Sequence, residues 1–161
     1  GEVILQASRL ICDANPPARI LEAGCGEAQI IGALVDAHGS PAGDQSSVGI
    51  DRDTKALTVA ARQYPGIHFL EGDFTDPHLL LSLGKFDLLL LVNALHHVFS
   101  DAYAPELQEI NVGLGKDNVR ASFAKLAETL KPGGHLILFD GLEAPESPDT
   151  PIQLRFQTTQ A

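Results

Sequence analysis

Five apolar runs in the sequence each end on residues able to bind a ligand or move a proton. Residues 19–23 open onto Gly24-Cys25-Gly26-Glu27-Ala28. Residues 48–50 end at Asp51, and residues 67–70 lead to Glu71-Gly72-Asp73-Phe74. Residues 86–92 run into Asn93-Ala94-Leu95-His96-His97, and residues 136–139 end at Asp140. Glycines in the first of these turns allow tight bending and close approach of backbone to a ligand. A carboxylate at position 51 can accept two hydrogen bonds from neighbouring hydroxyls. Its other role would be to cap the next helix, but Asp53 already fills that position. Asp73 can accept from an exocyclic amine while Phe74 packs beside a ring, or the pair can form a plain turn. His96 and His97 offer a general base, or one packs on the sheet while the other is solvated. We take His97 and Asp140 as the candidate catalytic pair. The same two residues could hold a divalent metal if a third ligand joined them. Cys25 has no nucleophilic partner and packs under the bound group.

Between these points the helical signals alternate with the strands. Residues 2–14 place Ile4, Ala7, Leu10, Ile11 and Ala14 on one helical face. A second helix turns Ile30, Ile31, Leu34 and Val35 inward and ends at Gly39. Asp53 or Thr54 caps a third, with Leu57, Ala60, Ala61 and Tyr64 inward. Asp76-Pro77 starts a short fourth, closed by Gly84. Asn118 caps a helix carrying Phe123, Leu126, Ala127 and Leu130, broken by Lys131-Pro132-Gly133-Gly134. Residues 98–118 form a long connection. It reads as a lid over an acceptor, with Tyr103, Pro105 and Leu107, or as an inserted helix over 105–110. The continuous apolar run of 86–92 suits a parallel strand covered on both faces. The expected fold is α/β, a doubly wound, mostly parallel sheet with its ligands beyond the carboxyl ends of the strands.

The 161 residues suffice for one domain with a real core. A formal charge of −10 disfavours nucleic acid and anionic membrane surfaces as partners. No apolar run approaches the roughly 20 residues of a membrane span. Cys12 and Cys25 form no metal or disulfide pattern, which makes a reducing, cytoplasmic location the default. The chain opens on Gly1 and contains no Met, which fits a fragment or excised module, part of a larger multidomain protein. A dinucleotide fingerprint would need Gly where Gln29 stands, and no Gly-Lys-Ser/Thr completes a phosphate loop.

Taken in order, Glu22-Ala23-Gly24-Cys25-Gly26, Gly49-Ile50-Asp51, Glu71-Gly72-Asp73-Phe74, Phe86-Asp87 with its apolar run and Leu130-Lys131-Pro132-Gly133-Gly134 resemble the class I S-adenosylmethionine-dependent methyltransferases. The resemblance covers roughly residues 18 to 141. It implies a Rossmann-like core over 1–141 that binds S-adenosylmethionine, followed at 142–161 by a Pro-rich loop or the start of an incomplete C-terminal part. It implies that Glu22, Gly24, Cys25 and Gly26 face the methionine portion. Asp51 and Arg52 would lie at the ribose, Gly72, Asp73 and Phe74 at adenine, and Asn93, Ala94 and Leu95 at the methyl group. The protein's task would be to align a nucleophile and exclude water. Two departures stand out. Ala28 replaces the third glycine, and only five of the family's seven strands can be placed. Asn93-Ala94-Leu95-His96-His97 also lacks the Asp/Asn-Pro-Pro-aromatic motif of enzymes acting on amide or nucleobase nitrogens. The resemblance therefore points to a small-molecule or carrier-bound acceptor. Two rivals are a non-catalytic S-adenosylmethionine-binding module of a larger synthase and an NAD-dependent Rossmann oxidoreductase.

Overall fold

The computed structural model describes residues 2–14, 17–38 and 47–141. The elements run α1 (Glu2–Ala14), β1 (Ile20–Ala23), α2 (Gln29–His38), β2 (Val48–Asp51), α3 (Thr54–Gln63), β3 (His68–Glu71) and α4 (Pro77–Ser82). They continue with β4 (Phe86–Val92), α5 (Leu95–Ser100), β5 (Tyr103–Ala104), β6 (Glu109–Ile110), α6 (Val112–Ala127) and β7 (Leu130–Phe139). Five strands form one sheet in the order β3-β2-β1-β4-β7, every neighbouring pair parallel. Strand order therefore reverses at β1, where the crossovers change direction and a crevice opens at the carboxyl ends. No helix among the described residues is long and apolar enough to cross a membrane.

The parity of the strands builds two cores. Ile20, Leu88 and Leu90 pack with Cys12, Ile31, Leu34, Leu57 and Ala60. Leu21, Ala23, Leu89 and Leu91 pack with Leu80, Leu95, Val98 and Leu126. Leu88 to Leu91 are all fully buried, as a parallel strand covered on both faces requires. Each such leucine stabilises the fold by roughly 1.5–3 kcal/mol on burial.

The caps at Asp53 and Asp76 form as the sequence indicates. Asp53 accepts from the backbone amides of Lys55 and Ala56, and Asp76 from that of His78. Elsewhere the structure corrects the expectation. In α1 the buried stripe is Ile4, Ser8 and Cys12, while Ala7 and Ala14 are exposed and Leu10 is 74% exposed. Ser8 is tolerated inside because its hydroxyl donates to the carbonyl of Ile4 at 2.8 Å. Asn111, not Asn118, caps α6, its side chain accepting from the amide of Leu114. Residues 105–110 are not helical, because β5 and β6 form a small antiparallel hairpin there. Leu130 belongs to β7, and Lys131-Pro132-Gly133-Gly134 lies inside that strand as a bulge. Phe86 pairs with Leu130 and Leu88 with His135, so four residues face one, and Gly133 takes φ +80°. Gly39 and residues 142–161 lie outside the described residues.

Candidate active site

The turn after β1 is anchored on β2. The amides of Gly24 and Cys25 donate to the carbonyl of Ile50 at 2.8 and 3.0 Å. The amide of Gly26 donates to Asp51 Oδ2 at 2.7 Å, and that of Asp53 to Asp51 Oδ1 at 2.9 Å. Asp51 thus fixes the glycine turn, and each of its oxygens retains a second lone pair for a ligand. Gly24 has φ +76°, and a Cβ there would meet Ala94 Cβ at 2.8 Å. Only glycine lets this turn lie so close to the β4–α5 junction. Asn93 at that junction has φ +51°, and its amide donates to the carbonyl of Phe139.

Two clefts meet at Gly24. The first, of about 290 Å³, is lined by Glu22, Gly24, Cys25, Glu27, Gln29, Ile30 and Val92. The second, of about 270 Å³, includes Asp51, Arg52, Phe74, Asn93, Ala94, His97 and Asp101. Glu22 is only 3% exposed. Burial, with a smaller push from the charge of Asp51, raises its carboxyl to about 8 against the opposing effect of the Ile31 amide, which donates to it at 3.1 Å. Cys25 packs against Gly49, and burial, then Glu22 and Asp51, raise its thiol far from the reactive range.

Of the residues singled out above, Glu22, Gly24 and Cys25 line the first cleft, and Gly24, Asp51, Arg52, Phe74, Asn93, Ala94 and His97 the second. Gly26 joins them through Asp51. Gly72 and Asp73 line neither cleft. Gly72 leaves room for Leu79, and its amide donates to the carbonyl of Asp51. Asp73 accepts from Thr75 and Arg52. Burial raises its carboxyl, but those hydrogen bonds outweigh it and hold the group below the ordinary range. Arg52 also reaches Asp101 at 3.2 Å. Leu95 lines neither cleft.

The histidine that meets Asp140 is His96, not His97. His96 Nδ1 lies 2.8 Å from Asp140 Oδ1, and the His96 amide donates to Oδ2 at 3.1 Å. Both residues line a third, larger cavity, with Leu95. Among the described residues no group of three or more His, Cys, Asp or Glu is arranged to hold a metal ion. Asp101 and Val98 were not foreseen in the second cleft. Reading α5 as a helix would have placed Asp101 one turn beyond His97.

No curated protein sequence matches the chain. Among solved structures, CalS10 from Micromonospora echinaspora, an amino pentose methyltransferase with bound S-adenosylmethionine, aligns with TM-score 0.61 and 21% identity, over 88% of this chain and 50% of that one. The N-methyltransferase NodS from Bradyrhizobium japonicum aligns with TM-score 0.58 and 19% identity, over 84% and 64%. DesVI from Streptomyces venezuelae aligns with TM-score 0.56 and 20% identity, over 86% and 49%. The chain thus spans about half to just under two thirds of these proteins, and the likeness is one of fold. A family profile described as a methyltransferase domain matches residues 20–115. With that match over more than half its length, on a sheet of this order, the chain belongs to the methyltransferase-domain family.

Proposed function

We propose that this chain is the core of an S-adenosylmethionine-dependent methyltransferase acting on a small-molecule or carrier-bound acceptor. The observation that carries the reading is the continuous double cleft across Gly24, at the point where strand order reverses. The donor set fits the cofactor. Glu27 and Asp51 present carboxylates, and Glu22 a buried carboxyl, to a ligand that carries an ammonium, a sulfonium and two ribose hydroxyls. When bound, S-adenosylmethionine supplies a methyl group already activated by its positive sulfur.

The residues then divide the work. Glu22 and the Gly24–Gly26 turn face the methionine portion. Asp51 receives the ribose hydroxyls on its free lone pairs, held in place by the amides of Gly26 and Asp53. Phe74 supplies an apolar wall for adenine. Asp73 takes part only if it exchanges Arg52 for the adenine amine, so its first role is to hold Arg52. His97 belongs to the nucleoside cleft. Residues 1–141 constitute this core.

Calorimetric titration of the full chain with S-adenosylhomocysteine tests the proposal, with NADH as the comparison. Micromolar binding of the first supports it. Preference for NADH would favour an oxidoreductase and overturn it, and binding of neither overturns it as well. Binding without any methylation by the protein would favour a non-catalytic module.

A further inference from the structure

The third cavity belongs to neither arm of the cofactor cleft. It holds about 780 Å³, within the range of small-molecule sites. Its wall is mainly apolar, including Leu95, Phe99, Ile110, Val112, Val119 and Leu138. Leu138 is 47% exposed and Val112 51% exposed. Four polar side chains interrupt the apolar lining, Glu109, Lys116, His96 and Asp140, and the last two are bonded to each other. Asp140 grips His96 twice, at the ring Nδ1 and at the backbone amide, which fixes both the ring and the start of α5. Its side chain is only 13% exposed, whereas that of His96 is 47% exposed. A carboxylate on Nδ1 sets the tautomer that carries its proton there and leaves Nε2 as an acceptor. Position relative to the cofactor cleft follows from the chain. Ala94 lines the cleft and Leu95 and His96 line the cavity, and the His96 ring lies 4.1 Å from that of His97, which faces the cleft.

We infer that this cavity is the acceptor site, that His96 is its general base positioned by Asp140, and that the acceptor is an apolar-bodied alcohol or phenol. The inference rests on the methyltransferase reading above. The mainly apolar walls suit an apolar body, and the His96–Asp140 pair decides the reacting group. A hydroxyl is a weak nucleophile until it begins to lose its proton, and that is the need a base meets. The step balances. A bond forms from the acceptor oxygen to the methyl carbon as the carbon–sulfur bond of the donor breaks. Sulfur keeps the electron pair, and the hydroxyl proton passes to Nε2 of His96. The products are the methyl ether, a neutral thioether and an imidazolium held against Asp140, which later gives its proton to water.

The test uses the full chain and two spectroscopic readouts. Long-range nitrogen–proton spectra at neutral pH report the tautomer of each histidine. His96 is expected as the Nδ1–H form, and an Nε2–H form would overturn the dyad. The probe for the cavity is 4-butylphenol, with hexylammonium as the contrast. Phenol-dependent shifts in the His96 ring and in the methyls of Val119 and Leu138 are expected, weakened about two- to tenfold in His96→Gln through loss of one hydrogen bond. Absence of these shifts, a response to hexylammonium alone, or shifts produced by protein concentration instead would overturn the assignment. The last result would give the surface to a second copy. S-adenosylhomocysteine binding is measured in the same samples. If it is lost in the unaltered chain the methyltransferase reading fails, whereas a wrong tautomer with intact binding refutes only the dyad.

Discussion

Replacement of Gly24 by alanine tests the packing argument at the centre of the site. Two costs follow from the geometry. The residue has φ +76°, and an L-residue in that region costs roughly 1–2 kcal/mol. Its new Cβ would stand 2.8 Å from Ala94 Cβ, well inside the roughly 3.5–4.0 Å at which carbons pack. Ala94 is buried at the β4–α5 junction and has little room to withdraw, so relief of the clash costs about 1–3 kcal/mol more. Gly24→Ala is therefore expected to lose about 2–5 kcal/mol. Gly26 provides the control, since it has φ +52° and nothing within 4 Å of an added Cβ. Gly26→Ala should lose only the backbone part, about 1–2 kcal/mol. Urea unfolding followed by circular dichroism reads both, and an unchanged slope shows that the compared states are the same. The double variant Gly24→Ala with Ala94→Gly removes the clash, so the cycle should show a favourable coupling of about 1–3 kcal/mol. Equal losses at positions 24 and 26, with no coupling to Ala94, would refute the claim that close approach to α5 is what demands glycine.

Asp51→Ala removes the acceptor of two loop amides and of the expected ribose hydroxyls, so S-adenosylhomocysteine affinity should fall by about 2 kcal/mol in calorimetry, and unchanged affinity would remove Asp51 from the site. Glu22 keeps its proton in the fold up to about 8 but loses it in the unfolded chain near the ordinary carboxylate value. Between those limits the unfolded state binds fewer protons, so stability falls as pH rises, by up to about 1.4 kcal/mol per unit. Glu22→Gln keeps an acceptor for Ile31 and should flatten that decline in pH-dependent unfolding; an unaltered profile would show that Glu22 is not its source. Asp87 accepts from the amide of Arg19 at 2.8 Å and from Lys131, and although burial raises its carboxyl, these bonds hold it below the ordinary range. Its contribution is present above the ordinary carboxylate value and lost as pH falls through the lowered one. Asp87→Ala should cost about 1–3 kcal/mol at neutral pH in urea unfolding, and no loss would mean that water replaces both partners.

Where the sequence was legible, one residue had one strong local preference. Asp53 and Asp76 each stand before a helical pattern, with Pro77 fixing the second start, and both cap as expected. The run over 86–92 has no polar face to show, and its parallel, doubly covered setting follows. Misreadings arose where tertiary contacts outweighed local signals. Ser8 marks the inward face of α1 although it is polar, because its hydroxyl is satisfied within the helix. Gly113 and Gly115 hide the first turns of α6, yet Gly115 is there because a Cβ would meet Phe99 Cδ2 at 2.8 Å. Propensity disfavours that glycine in a helix by about 1 kcal/mol, and the packing of α5 on α6 requires it. Pro132 and Gly133 read as a break between elements, whereas β7 absorbs them as a bulge opposite Asp87, whose bond to Lys131 spans the irregularity.

The candidate site shows the same division. Residues at or just past the carboxyl end of a strand, such as Glu22, Asp51 and Asn93, are placed by the strand's end, and spacing alone locates them. The histidine doublet cannot be resolved that way. Adjacent residues on a helix point about 100° apart, so one step in the start of α5 decides which ring meets Asp140 and which meets the cofactor cleft. That start is set by the left-handed turn at Asn93 and by the grip of Asp140 on the amide of His96. Neither appears in the local sequence, since Asp140 arrives from β7, the next strand in the sheet. The two rings nevertheless touch at 4.1 Å. On the proposed assignment, a base on the acceptor side and a wall on the cofactor side are thus adjacent in chain and in space. Physically, this serves a reaction whose two substrates must meet at one point while binding in separate cavities.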